Sequence, residues 1–225
     1  MYILLILLML ASMGIQWILK SKMIKYAKTP LNSNLSGQEV AEMMLRDNFI
    51  NDVVVKSVAG QLTDHYDPTN KTVNLSQEVY YGRNAAAVAV AAHEVGHAVQ
   101  HAQAYAWLGF RSAMVPMLSF SSRYMSLLLI AGILMLNFSW IPLAAGVALF
   151  SLTTLFSFIT LPVEFDASAR GLNYLTNRGV VTSSEYALSK DALRWAAMTY
   201  VVAAISSLAT LLYYLSILSG RSSRD

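Results

Sequence analysis

Cysteine is absent from this 225-residue chain. That excludes disulfides and thiolate ligands, so any bound metal has to be held by histidine and carboxylate. Charge is scarce as well: 13% of the residues are Asp, Glu, Lys or Arg, against 56% hydrophobic ones. A mean hydropathy of +0.46 lies outside the range of an ordinary soluble domain of this length and points to an integral membrane protein. The net charge of +3 is small, and its position along the chain says more than its size; no nucleic-acid partner is expected. Histidine occurs four times, as His65, His93, His97 and His101, so the search for nitrogen ligands is short.

The uncharged stretches set the architecture. Residues 2–19 carry no charge and are long enough to cross a bilayer, because about 20 helical residues at roughly 1.5 Å each match the hydrocarbon thickness. No basic residue precedes this run, which speaks against a cleaved signal peptide. Lys20, Lys22, Lys25 and Lys28 follow it, and positive flanks stay in the cytoplasm, so the N-terminus is expected outside. Arg123 is the only charge in residues 112–163, a stretch too long for one crossing. The turn signal "NFSWIP" divides it into a helical hairpin of about residues 117–136 and 141–161, with Arg123 snorkelling or paired in the bundle. Residues 164–194 are polar, and 195–219 form a fourth uncharged run. Counting crossings places 164–194 on the same face as 20–111, and Arg170, Arg178, Lys190 and Arg194 agree with a cytoplasmic location. The short tail, residues 220–225, falls outside by the same count despite two arginines.

Residues 20–111 read as a small α+β domain. "SGQE" at 36–39 is a capping box opening a helix with Val40, Met43 and Met44 on one face. A β-branched segment follows, with "DPTNKT" as the turn of a hairpin. Asn84 caps a helix over residues 85–103. The expected fold is therefore mostly α: about four transmembrane helices, with a small zincin-like α+β domain inserted between the first and the second.

That last helix contains "AAHEVGHAVQ". His93 and His97 stand four apart, so their imidazoles leave one helix face a turn apart, the separation needed to grip one zinc ion. Glu94 lies beside the ligands and not in line with them, where it can act as general base on a water that zinc activates for attack on a peptide carbonyl. The competing reading, a core helix with incidental histidines, requires burying two imidazoles and a carboxylate among Ala and Val without a partner.

A catalytic zinc takes three protein ligands and leaves one position for water. His101 is about 12 Å of helix rise from His93, too far for one ion on a straight helix. His65, in "TDHYDP", is a second candidate that could equally touch substrate or pack. Glu164, in "LPVEFDASAR", is the better third ligand: it is the first charge after the third apolar run, and an acid so near the bilayer is costly unless it meets a cation. Asp166 and Ser168 follow, and either could receive the free N–H of a ligating imidazole. Tyr66, Tyr80, Tyr81, Tyr105 and Arg170 are candidates for stabilising the oxyanion, with packing as the plainer role for each.

Together, "LTDHYDP", "VAAHEVGHAVQH" followed by "AYA", "RSAMVP" and "LPVEFDAS" resemble the YugP-like membrane-bound neutral zinc metallopeptidases of bacteria over nearly the whole chain. A more distant likeness runs to the HtpX-type and CAAX prenyl proteases. The resemblance implies zinc, one ion per chain, held by His93, His97 and Glu164, with Glu94 as catalytic acid and base. It further implies a protein or peptide substrate and a multi-pass protein in the inner or plasma membrane of a bacterium. The distant pattern ends its glutamate motif in aspartate where this chain has Ser168, which leaves the partner of the first histidine open. Two other functions fit parts of the sequence. An intramembrane protease would place the motif inside a span, but the apolar stretch over residues 85–99 is too short to cross. A metal-stabilised adaptor without catalysis would have no use for Glu94. Neither an oligomeric state nor a regulatory partner is set by the sequence.

Overall fold

Seven helices and one small sheet make up the described residues, which in this computed structural model are 2–222. Residues 223–225, part of the expected tail, lie outside them. Helix α1 (Tyr2–Tyr26) continues the uncharged run past its expected end at residue 19 and carries Lys20, Lys22 and Lys25 on its last turns. Helix α2 (Gly37–Asp47) begins with the expected capping box: the Ser36 side chain accepts from Glu39 N–H, and the Glu39 carboxylate accepts from Ser36 N–H at 2.7 Å. Its inward face is Val40, Ala41, Met44 and Leu45.

Three strands follow, β1 (Val54–Val58), β2 (His65–Asp67) and β3 (Thr72–Ser76), in the order β1-β3-β2. β2 and β3 are the antiparallel hairpin read from the sequence. Its turn is held by Asp67, whose carboxylate accepts from the backbone N–H of Thr69 and Asn70, an arrangement that short acidic side chains favour in turns. β1 was not expected as a separate pairing. It lies parallel to β3 on the far side, so β3 is the central strand and is buried along its whole length. A short helix α3 (Gln77–Tyr80) leads into α4 (Ala85–Ala102), where the Asn84 side chain accepts from Ala87 N–H at 2.9 Å and satisfies one of the orphan amides of the first turn.

The remaining helices are α5 (Ala106–Leu134), α6 (Ile141–Asn177) and α7 (Ser183–Ser222). α5 starts earlier than the expected residue 117 and runs through Pro116. α6 does not stop at residue 161: it continues through Pro162 and carries Glu164, Asp166, Ser168 and Arg170 on the same helix as the apolar residues before them. α1, α5, α6 and α7 are each long and apolar enough to cross a membrane.

The chain divides into two compact units. One comprises residues 15–108 and 162–198. Its core packs Val40 and Met44 of α2, Val73 and Leu75 of β3, and Val88, Ala91, Val95 and Val99 of α4 with Leu175 of α6 and Val180 after it. The other takes the residues up to 14, 109–161 and those from 199 onward. Within it α5 and α6 approach closely, since a Cβ on Gly132 would come within 2.4 Å of the Leu143 backbone, the small-residue contact that lets apolar helices pack without a hydrophobic driving force. Thr154 and Ser207 share a hydrogen bond of 2.8 Å between α6 and α7 in the same unit. Its outward residues are apolar, among them Phe120, Leu127, Ile130 and Phe138, and Arg123 is exposed on α5.

Candidate metal centre

Two helices of the sheet-containing unit build the site. α4 supplies His93 and His97, and α6 supplies Glu164. The helices meet so closely that a Cβ added to Gly96 would stand 2.5 Å from the Ala167 carbonyl oxygen, and one added to Gly171 would stand 2.9 Å from the Ala92 carbonyl carbon. Glycine at both crossing points brings the imidazoles within reach of a carboxylate on the facing helix.

The three ligand atoms converge. His93 Nε2 is 3.3 Å and His97 Nε2 3.7 Å from Glu164 Oε2, and the candidate donor atoms of all three residues lie within 4.8 Å of one another. The two rings stand edge to face with centroids 4.8 Å apart. Ligands held about 2.1 Å from one ion at tetrahedral angles are separated by about 3.4 Å, so this spacing suits zinc. Two imidazoles and a carboxylate are also the donor set of an open, three-ligand zinc site. Glu164 is only 2% exposed, and a carboxylate so deeply buried calls for cationic company.

The electrostatics point the same way. Burial by itself lowers the pKa of His97, but the nearby carboxylates of Glu164 and Glu94 outweigh that, and the net displacement is upward. The pocket therefore favours positive charge between its carboxylates. Glu94, next to His93 in the chain, is buried as well.

Each imidazole uses its second nitrogen away from the centre. His93 Nδ1 lies 3.0 Å from Ser168 Oγ, and His97 Nδ1 lies 3.0 Å from Gln100 Oε1. Of the two candidates on α6, it is Ser168 that touches a histidine. Asp166 instead accepts from Gln100 Nε2 at 2.8 Å and from Arg170 Nε at 2.5 Å. Sequence alone assigned no role to Gln100. The signal for it was a lone amide three residues after His97 in an Ala/Val helix, a polar group that would be costly to bury without purpose.

The other candidates lie elsewhere in the fold. His65 is exposed on β2, with Nδ1 2.8 Å from the Thr63 carbonyl and Nε2 3.2 Å from Asn74 Nδ2. His101 meets the Tyr66 hydroxyl at 2.8 Å and lines a cavity of about 190 Å³ with Asp52, Lys71 and Ala98. Neither joins the ligand cluster. Tyr80 packs edge-on against Tyr81, and Tyr105 lies under the Arg170 guanidinium at 5.7 Å, an arrangement that reads as packing.

Comparison with known proteins gives the family. The family described as "Putative neutral zinc metallopeptidase" matches residues 1–219. The "Putative membrane protease YugP" of Bacillus subtilis (strain 168) is 42% identical over 221 residues, which cover 96% of this chain and 97% of that protein. No solved structure matches. With a match from the first residue to nearly the last, and a zinc-compatible cluster of two histidines and a glutamate at its centre, the chain belongs to the neutral zinc metallopeptidase family.

Proposed function

We propose that this protein is a membrane-bound zinc endopeptidase that hydrolyses peptide bonds, with His93, His97 and Glu164 holding one zinc ion and Glu94 acting as general base. The observation that carries the reading is the meeting of Glu164 Oε2 with both histidine Nε2 atoms, at 3.3 and 3.7 Å, from a different helix. When bound, zinc polarises the scissile carbonyl and lowers the pKa of water to about 7. Glu94 accepts the proton of the attacking water and returns it to the departing amine, so one carboxylate serves both halves of the reaction. Ser168 and Gln100 orient the imidazoles through their Nδ1 atoms. The close contact of α4 and α6 keeps the ligands in place before substrate arrives, which limits reorganisation during reaction.

The purified protein is expected to cleave an unfolded protein such as denatured casein. Activity should disappear on dialysis against a chelator and return with about one equivalent of zinc. Turnover undiminished after complete metal removal would refute the proposal.

The catalytic unit faces the cytoplasm in this reading, because Lys20, Lys22, Lys25 and Lys28 lie beyond the first span and Arg170, Arg178, Lys190 and Arg194 beyond the third. The chain contains no cysteine, so single cysteines report location without background. In intact bacterial cells, a membrane-impermeant maleimide should label Asn137→Cys, in the turn between α5 and α6. Gln61→Cys, in the exposed β1–β2 loop, should react only after the membrane is opened. The opposite pattern would reverse the orientation.

A further inference from the structure

Gln100 is completely buried, and every hydrogen bond it makes has a definite direction. Its Nε2 donates to the Val163 carbonyl at 2.8 Å and to Asp166 Oδ2 at 2.8 Å. A backbone carbonyl and a carboxylate oxygen can only accept. Turning the amide over would set its oxygen against both of them at hydrogen-bond distance and aim its NH2 group at His97. That orientation is excluded, so Oε1 is the atom 3.0 Å from His97 Nδ1, and Nδ1 has to carry the proton.

We infer that Gln100 holds the His97 imidazole with a proton on Nδ1, so that Nε2, the nitrogen facing Glu164, is the one presented to the metal position. The inference rests on the assignment of His97 as a zinc ligand. Asp166 and Arg170 act through Gln100 as positioning residues. Arg170 Nε donates to Asp166 Oδ2 at 2.5 Å, and an Arg170 terminal nitrogen donates to Gln103 Oε1 at 2.6 Å, so the carboxylate oxygen that orients the amide is itself held by the guanidinium. His93 lacks such a device. Its Nδ1 faces a serine hydroxyl at 3.0 Å, which can donate or accept and imposes no polarity on the ring. The two imidazoles are therefore unequal, with His97 preset and His93 free to take whichever tautomer the ion selects.

The test compares zinc-loaded wild type with Gln100→Met and Ser168→Ala. Methionine keeps the length and volume of Gln100 and removes the acceptor. Chelator competition should give a zinc affinity about 10- to 100-fold lower for Gln100→Met, the range typical of lost outer-sphere partners, and a smaller loss for Ser168→Ala. Histidine 15N spectra of the zinc-loaded wild type should place zinc on His97 Nε2 and show a slowly exchanging Nδ1 proton whose exchange with solvent becomes fast in Gln100→Met. Unchanged affinity with an equally slow Nδ1 proton in Gln100→Met would overturn the inference, as would zinc on Nδ1 in the wild type, which requires no variant to fold. Failure of the wild type to bind zinc at all would remove the zinc reading itself, a result distinct from either of these.

Discussion

Glu164→Ala is expected to be purified without zinc, while His65→Ala and His101→Ala each retain about one ion per chain. Glu164 contributes the only oxygen to the ligand cluster, and its Oε2 sits 3.3 Å from one imidazole nitrogen and 3.7 Å from the other. Removing it leaves two nitrogens, one short of the minimum for a catalytic zinc site. The loss of affinity should exceed the roughly 10- to 100-fold that an outer hydrogen bond is worth. His65 and His101 already have partners outside the site, in Thr63 and Asn74 for the first and Tyr66 for the second. Because Glu164 is buried, the alanine variant has to be compared with Glu164→Gln, which keeps the side-chain shape and offers an uncharged, weaker oxygen. Both variants should keep their helical circular dichroism and lose zinc. Full zinc content in Glu164→Gln, or loss of zinc in His101→Ala, would reassign the third ligand.

The parts of this structure visible in the sequence are those governed by local chemistry. The capping box at Ser36, the N-cap at Asn84, the Asp67 turn and the imidazole pair of α4 each depend on residues within a few positions of one another. Glu164 was also legible as a candidate, because the first acid after an apolar run carries an energetic cost that demands explanation. Three features were not. The parallel pairing of β1 with β3 joins segments separated by β2, and strand propensity does not say which strand a neighbour will choose. The continuity of α6 was hidden because composition changes at Glu164 beside Pro162, and a change from apolar to charged residues marks a change of surroundings without ending a helix. The role of Gln100 was hidden because its meaning lies in partners on α6, Val163 and Asp166, which only the packing of α4 against that helix supplies. Glycine at positions 96 and 171 is what permits that packing, and a single sequence displays a glycine without displaying the neighbour it admits.

Glu94→Gln should bind zinc as the wild type does and lose about 100- to 10,000-fold in the rate of peptide cleavage, the range that a positioned acid–base group contributes. The two halves of this expectation have separate physical sources. Retention of the metal follows because Glu94 is not among the proposed ligands His93, His97 and Glu164, and because glutamine is nearly isosteric with a buried glutamate. Loss of turnover follows because an amide cannot take a proton from water near neutral pH or hand one to a leaving amine. The defect should appear in kcat, with KM little changed, since the interaction removed is one made in the transition state. The substitution also discriminates between functions. An adaptor that uses zinc only as a structural clamp would gain nothing from a base at position 94, and neither wild type nor variant would cleave an unfolded protein. A peptidase would show the contrast at equal zinc content. Wild-type turnover in a zinc-loaded Glu94→Gln protein would mean that another group moves the proton, and Glu94 would lose its place as the general base.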